Sequence, residues 1–116
     1  MPAKTWQQNM LGITFRYADG RITVFRSALE SIGRPEFYHF LYNPTKQMFA
    51  IQACGMDAEG ANRVPKKNQD DRYEIKSKNL VRLLYQSCGW DRTRSYRLPG
   101  VEYPQQRLVN YDPVSY

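Results

Sequence analysis

The chain has 116 residues, 41% of them hydrophobic and 14% aromatic, with a formal net charge of +6. That is enough apolar material for one folded domain with a buried core, and it excludes an intrinsically disordered chain. No run approaches the ~18 apolar residues of a membrane-spanning helix, the first residues have no signal-peptide apolar stretch, and Cys54 and Cys88 form neither a disulfide framework nor a metal pattern, so a cytoplasmic protein without membrane contact is expected.

In chain order, residues 1–12 carry no clear period, and Trp6, Met10 and Leu11 suit a short packing arm. Ile13 to Tyr17 alternates apolar and polar, as a half-buried strand does. Ala18-Asp19-Gly20 is a hairpin turn, because Asp-Gly supplies the positive-φ residue. Arg21 to Phe25 is the returning strand, with Ile22 and Val24 on one face and Thr23 and Phe25 on the other. Ser27 with Glu30 reads as a capping box that opens a short helix. Ala28, Leu29 and Ile32 are its core residues, Gly33 its stop, and Pro35 prevents continuation. The aromatic run Phe37 to Tyr42 suits a strand engaged on both faces. A turn over Asn43 to Lys46 joins it to a partner strand, Gln47 to Cys54, with Phe49, Ile51 and Ala53 on one side.

Gly55 to Asp71 is poor in apolar residues and reads as a long mobile loop. Tyr73-Glu74-Ile75 is a short strand. Ser77 caps a second helix that runs to about Ser87, with Leu80, Val81, Leu84 and Cys88 on one side and Gly89 as its stop. Asp91 to Ser95 is a polar turn. Tyr96 to Leu98 and Arg107 to Asn110 are strands, with Val101 and Tyr103 packing between them. The tail after Asp112 is expected to be loose. The chain is thus one domain, 1–116. Residues 13–54 form a hairpin, helix and hairpin core, 55–72 a long loop, and 73–112 a helix with strands. The fold class is α+β, a small antiparallel β-sheet or partial barrel with two short helices.

No catalytic constellation can be assembled. His39, the one histidine, has no Cys, Ser or Asp at motif spacing, and there is no nucleophile elbow, phosphate-binding glycine loop or HExxH. Asp70-Asp71 lies among lysines and arginines and reads as a solvated charge cluster, and the two cysteines read as core thiols. No enzyme activity, cofactor or metal is expected.

The charge is uneven: six Lys/Arg face five Asp/Glu before residue 63, and eleven face six from there on. Arg63, Lys66 and Lys67 lie on the long loop. Lys76, Lys78 and Arg82 surround the start of the second helix, and Arg92, Arg94 and Arg97 follow its end. Such groups neutralise phosphates, and Trp90 and Tyr96 among them suit base stacking. Lys76 and Lys78 oppose the helix dipole at an N-terminus, which points to a service for a partner. In the first half, Arg16, Arg21 and Arg26 belong to or flank the first hairpin, and a basic two-stranded ribbon can enter a DNA groove.

Gly20-Arg21-Ile22-Thr23-Val24, then Ala28-Leu29-Glu30-Ser31-Ile32-Gly33, then the strands Phe37–Tyr42 and Met48–Gln52, together resemble the swapped-hairpin module of AbrB-type transcription regulators. The resemblance covers residues 13–53. It implies an intertwined homodimer with DNA contacts from Arg16, Arg21 and Arg26. The chain departs from that pattern at Phe25, where the family has proline, and at Arg34-Pro35-Glu36, where the family has a Pro-Gly-Asp turn. The whole chain is also similar to small proteins of phages and mobile elements. That second likeness implies a role in phage–host conflict. The leading expectation is a DNA-binding transcriptional regulator of a phage or mobile element. The alternatives are an anti-CRISPR-type inhibitor of a nuclease effector, which would meet an acidic or nucleic-acid-binding protein surface, and a sponge for a nucleotide signal.

Overall fold

The computed structural model describes residues 11–113. The expectations for Trp6, Met10 and the last three residues lie outside them. In order, the elements are β1 (Ile13–Arg16), β2 (Arg21–Phe25), α1 (Arg26–Ser31), β3 (Phe37–Asn43), β4 (Met48–Cys54) and β5 (Asn62–Arg63). There follow β6 (Arg72–Lys76), α2 (Lys78–Cys88), β7 (Tyr96–Leu98), β8 (Gly100–Tyr103), a 3-10 turn over Pro104–Gln106 and β9 (Leu108–Tyr111). The fold is α+β and mostly antiparallel, as the alternation predicts. Among the described residues it is a pair of sheets with nine strands, more than a small partial barrel holds.

The first sheet has the order β6-β2-β1-β7 and the second β5-β3-β4-β9-β8. Their apolar faces meet, with Phe15 edge-on to Phe49 at 5.6 Å between ring centres. Ile13, Phe15, Ile22, Val24 and Leu98 come from the first sheet, and Tyr38, Phe49, Ile51, Val109 and Tyr111 from the second. Each side chain alternates with an outward neighbour, as the strand period requires. The helices contribute Ala28 and Leu29 from α1, and Val81, Leu84 and Tyr85 from α2. The Tyr85 hydroxyl sits 3.1 Å from the carbonyl of Phe15 and 2.6 Å from that of Arg94, so its buried polar tip is satisfied.

The first hairpin forms as its turn chemistry dictates. Asp19 Oδ1 accepts from the Arg21 amide at 3.2 Å, and Gly20 has φ +65°. A Cβ on Gly20 would also meet Lys78 atoms at 2.7 to 2.9 Å, so glycine is needed there for conformation and for space.

Several local expectations are corrected. The capping box does not form: Phe25 is the N-cap of α1, and Ser27 is buried inside the helix. Glu30 pairs instead with Arg26 at 3.0 Å and Arg34 at 3.5 Å. Ser77 does cap α2 in position, but without a side-chain hydrogen bond, and Gly89 closes the helix at φ +65°. Gln47 belongs to the turn rather than to β4, with φ +51°. Residues 55–71 are not structureless, since β5 pairs with β3 and the Val64 amide donates to Glu36 O at 2.9 Å. Gly100 to Tyr103 is a strand that the proline and glycine around it concealed.

Candidate nucleic-acid interface

Strand alternation decides what the first sheet shows to solvent. With Ile13, Phe15, Ile22, Val24, Tyr96 and Leu98 inward, the outward set is Thr14 and Arg16 from β1, Arg21, Thr23 and Phe25 from β2, and Arg97 from β7. In β6, Arg72, Glu74 and Lys76 are exposed while Tyr73 and Ile75 turn inward. Register places these residues in rows. Arg16 faces Arg21, which faces Lys76. Arg97 faces Thr14, which faces Thr23, which faces Glu74. Phe25 faces Arg72. This face is exposed or half-buried at each of its outward positions. It therefore carries five cations, with Glu74 as the single carboxylate among its strand positions.

The cations differ in how far they are neutralised. Arg16 Nη2 is 2.5 Å from Asp19 Oδ2, and Arg21 Nε is 3.3 Å from the same oxygen. Arg16 and its hydrogen bond hold the Asp19 carboxyl at about 2, and the pairing raises Arg16 in turn. Arg21 Nη1 also lies 3.7 Å from Glu74, while its Nε is shielded from water and makes no hydrogen bond. Lys76 and Arg72 have no carboxylate within ion-pair distance among the described residues. The guanidinium carbons of Arg72 and Arg97 lie 4.7 and 4.4 Å from the centre of the Phe25 ring.

Arg26 stands at the start of α1 and is tied to Glu30 and Asp71. Lys67 also pairs with Asp71, at 2.9 Å, and these two cations lower that carboxyl, Lys67 most. Arg63 belongs to the second sheet, where it pairs with Glu36 at 2.7 Å and stacks on Phe37 at 4.8 Å. Lys66 and Lys67 line a separate cleft with Arg63, Pro35 and Tyr73. Arg82 and Arg92 share another cleft with Tyr17 and Trp90, and Arg92 lies 5.4 Å over the Tyr17 ring. Lys78 packs over Gly20, and Arg94 lies 5.8 Å from the Tyr96 ring. The basic groups around α2 therefore divide. Lys76 and Arg97 join the sheet face, whereas Arg82, Arg92 and Arg94 surround the far end of the helix.

The two residues expected to stack on bases lie away from this face, Tyr96 buried and Trp90 half-buried. Trp90 and Tyr96 stack on each other, 4.5 Å apart and 10° from parallel. Tyr96 is buried, and its hydroxyl accepts from the Asp91 amide at 2.9 Å. Arg72 and Phe25 were not anticipated as site residues. The alternation of Arg72-Tyr73-Glu74-Ile75-Lys76 was the signal that would have found Arg72. His39 joins Gln52 at 2.8 Å and the Glu59 carbonyl at 3.2 Å. Both cysteines are free and half-buried, burial pushes the Cys88 thiol up, and no cluster of metal-ligating side chains occurs among the described residues.

Comparison of the chain with family models, with curated proteins and with solved structures finds no match. What the face does must therefore be argued from its own chemistry. No described helix is long and apolar enough to cross a membrane.

The opposite surface is different in kind. On β3, β4, β9 and β8 the outward positions carry no charged residue, and Leu41, Val101 and Tyr103 are 40%, 39% and 46% exposed. Leu41, Met48, Ala50 and Leu108 line an open depression there of ≈ 450 Å³.

Proposed function

We propose that the protein binds nucleic acid, duplex DNA foremost, through the outer face of its first sheet, and serves as a DNA-binding regulator without covalent chemistry. The observation that carries this reading is the row arrangement of Arg16, Arg21, Lys76, Arg72 and Arg97 on one face of the first sheet. Phosphates are the common anionic repeat that such a face complements.

Geometry favours contact across a groove rather than insertion into it. Four strands about 4.8 Å apart span roughly 14 Å before side chains are added, while the major groove is about 12 Å wide. The end of the sheet that holds Arg16 and Arg21 is flanked by β6 and the start of α2, so it too rests on the backbones rather than entering the groove. The cations then meet the phosphate backbones on either side, so binding is expected to tolerate many sequences.

Arg16 and Arg21 share Asp19, so the face is worth about three to four phosphates. Titration of labelled duplex DNA by fluorescence anisotropy at several salt concentrations should give log K against log salt a slope of about −3 to −4. Absence of salt-dependent binding at low ionic strength overturns the reading. The inhibitor reading would then lead, and the apolar exposed residues Leu41, Val101 and Tyr103 on the second sheet are what favour it.

A further inference from the structure

Register sets two rows across the outer face of the second sheet. Leu41 faces Ala50, which faces Asn110, which faces Val101. His39 faces Gln52, which faces Leu108, which faces Tyr103. Leu41, Val101 and Tyr103 are exposed, and Met48 and Leu108 are half-buried beside them. The outward positions of β3, β4, β9 and β8 carry no charge, and Lys46 stands at the rim in the β3–β4 turn.

Asn110 lies within the first row, between Ala50 and Val101. Its side chain makes no hydrogen bond to another described residue. The other amides of the face are engaged: Gln52 holds His39 and the Gln106 carbonyl, and Asn43 accepts from the amides of Thr45 and Lys46. An apolar partner laid on this row would strip Asn110 of water and leave it unsatisfied. A second Asn110 satisfies it in both directions, because a primary amide donates and accepts.

Charge selects the same occupant. The chain carries +6, so an acidic partner is drawn to the basic face of the first sheet and gains nothing here. Two copies repel each other least where neither presents a charge. A twofold contact lays such a face on itself, with like residues meeting at the axis.

We infer that the outer face of the second sheet binds a second copy of this chain, the two Asn110 side chains meeting at the twofold axis. The consequence for DNA rests on the proposed function. The two basic faces point in opposite directions, about 30 Å apart across four sheets stacked at about 10 Å, so one dimer holds two duplex segments rather than one. The four strands span about 14 Å across, and β3, with seven residues, about 23 Å along, which is the low end of a specific interface.

A dissociation constant of about 10–100 µM is expected, so sedimentation equilibrium of the full chain without DNA runs from about 5 to 500 µM. Mass should rise from monomer to dimer, and the dimer should hold or strengthen as salt is raised, whereas DNA binding weakens. Leu41→Glu with Val101→Glu, and separately Asn110→Asp, should each weaken dimerisation about tenfold or more at pH 7 by setting like charges together. Circular dichroism checks that both variants fold. In parallel, a duplex fixed on beads is offered a second, fluorescent duplex. Wild type above its dissociation constant should retain the second duplex. Leu41→Glu with Val101→Glu should not, although its affinity for a single duplex changes less than about threefold. A chain that stays monomeric throughout, or folded variants that dimerise as wild type does, overturns the inference whether or not DNA is bound. A dimer lost in the variants, with no DNA binding by wild type, keeps the contact and sinks the nucleic-acid reading. A dimer that binds DNA yet retains no second duplex overturns the opposed arrangement of the basic faces.

Discussion

The two outer faces of this protein come from the same construction and carry opposite chemistry. Each sheet sends every second side chain inward, and those halves look alike: Ile13, Phe15, Ile22 and Val24 in one, Tyr38, Phe49, Ile51 and Val109 in the other. The outward halves share nothing. The first is ionic, with Arg16, Arg21, Arg72, Lys76 and Arg97, while β3, β4, β9 and β8 of the second present no charge at all. Inward residues answer to the core and leave little freedom. Outward residues answer only to solvent or to a partner, so the information about function lies in them.

The largest expected effect removes the contrast itself. Phe15 joins the sheets at their shared interior and is fully buried. Phe15→Ala should lower unfolding stability by about 3–5 kcal/mol in a urea titration, and both faces should be lost together. Loss of DNA binding without loss of stability would mean that Phe15 serves the ligand and not the core.

Charge reversal then sets one face against the other. Arg72→Glu with Arg97→Glu should weaken duplex binding about 100-fold or more at low salt, since two attractive contacts become repulsive. The matched reversal on the second sheet, Leu41→Glu with Val101→Glu, adds new negative charge on the side away from the ligand. At physiological salt, where the Debye length is about 8 Å, it should change affinity less than about threefold. Equal losses in the two would dissolve the distinction between the faces.

The smallest effect is a gain. Asp19 holds part of the charge of Arg16 and Arg21, so Asp19→Asn should tighten DNA binding by about threefold. Acid does not imitate that substitution in the accessible range. The Asp19 carboxyl is depressed to about 2 in the fold from an ordinary value of 3.8. Its pairing is therefore complete above pH 4 and fades only as pH falls toward 2. Titration of Asp19 should therefore not change wild-type affinity between pH 7 and pH 4.5, and the Asn variant should stay tighter at both.

Much of the scaffold was legible in the sequence. Asp19-Gly20, the alternating strands beside it, the aromatic strand from Phe37 and the Gly89 stop are local signals, and local geometry obeyed them. The start of α1 was misjudged because Ser27 is buried within the helix, and tertiary burial overrode its capping preference. β8 escaped because Pro99-Gly100 reads as a break. Gly100 is in fact required for close packing, since a Cβ there would lie 2.6 Å from Val109 Cγ1 and 2.7 Å from Leu11 O. The basic residues were visible one by one, but their sorting was not. Whether Arg97 lies beside Arg92 or beside Thr14 depends on strand pairing between residues more than eighty positions apart. Trp90 and Tyr96 looked like stacking groups for a partner for the same reason, because nothing local announces that these two rings will stack on each other.

Strand order also has a consequence for how the chain comes together. β9 lies between β4 and β8 in the second sheet, although it follows both in sequence. β8 therefore has no seat until β9 is in place, whereas β7 pairs with β1 in the first sheet. β1 in turn waits for β7 on its open side, and the Tyr111 hydroxyl donates to Leu11 O at 2.7 Å, across a hundred positions of chain. Closing such distant pairs is slow, because their loop entropy must be overcome before any contact compensates for it. The first hairpin thus keeps an open edge until β7 pairs with β1, and its charged outer face helps to keep that edge soluble in the interval.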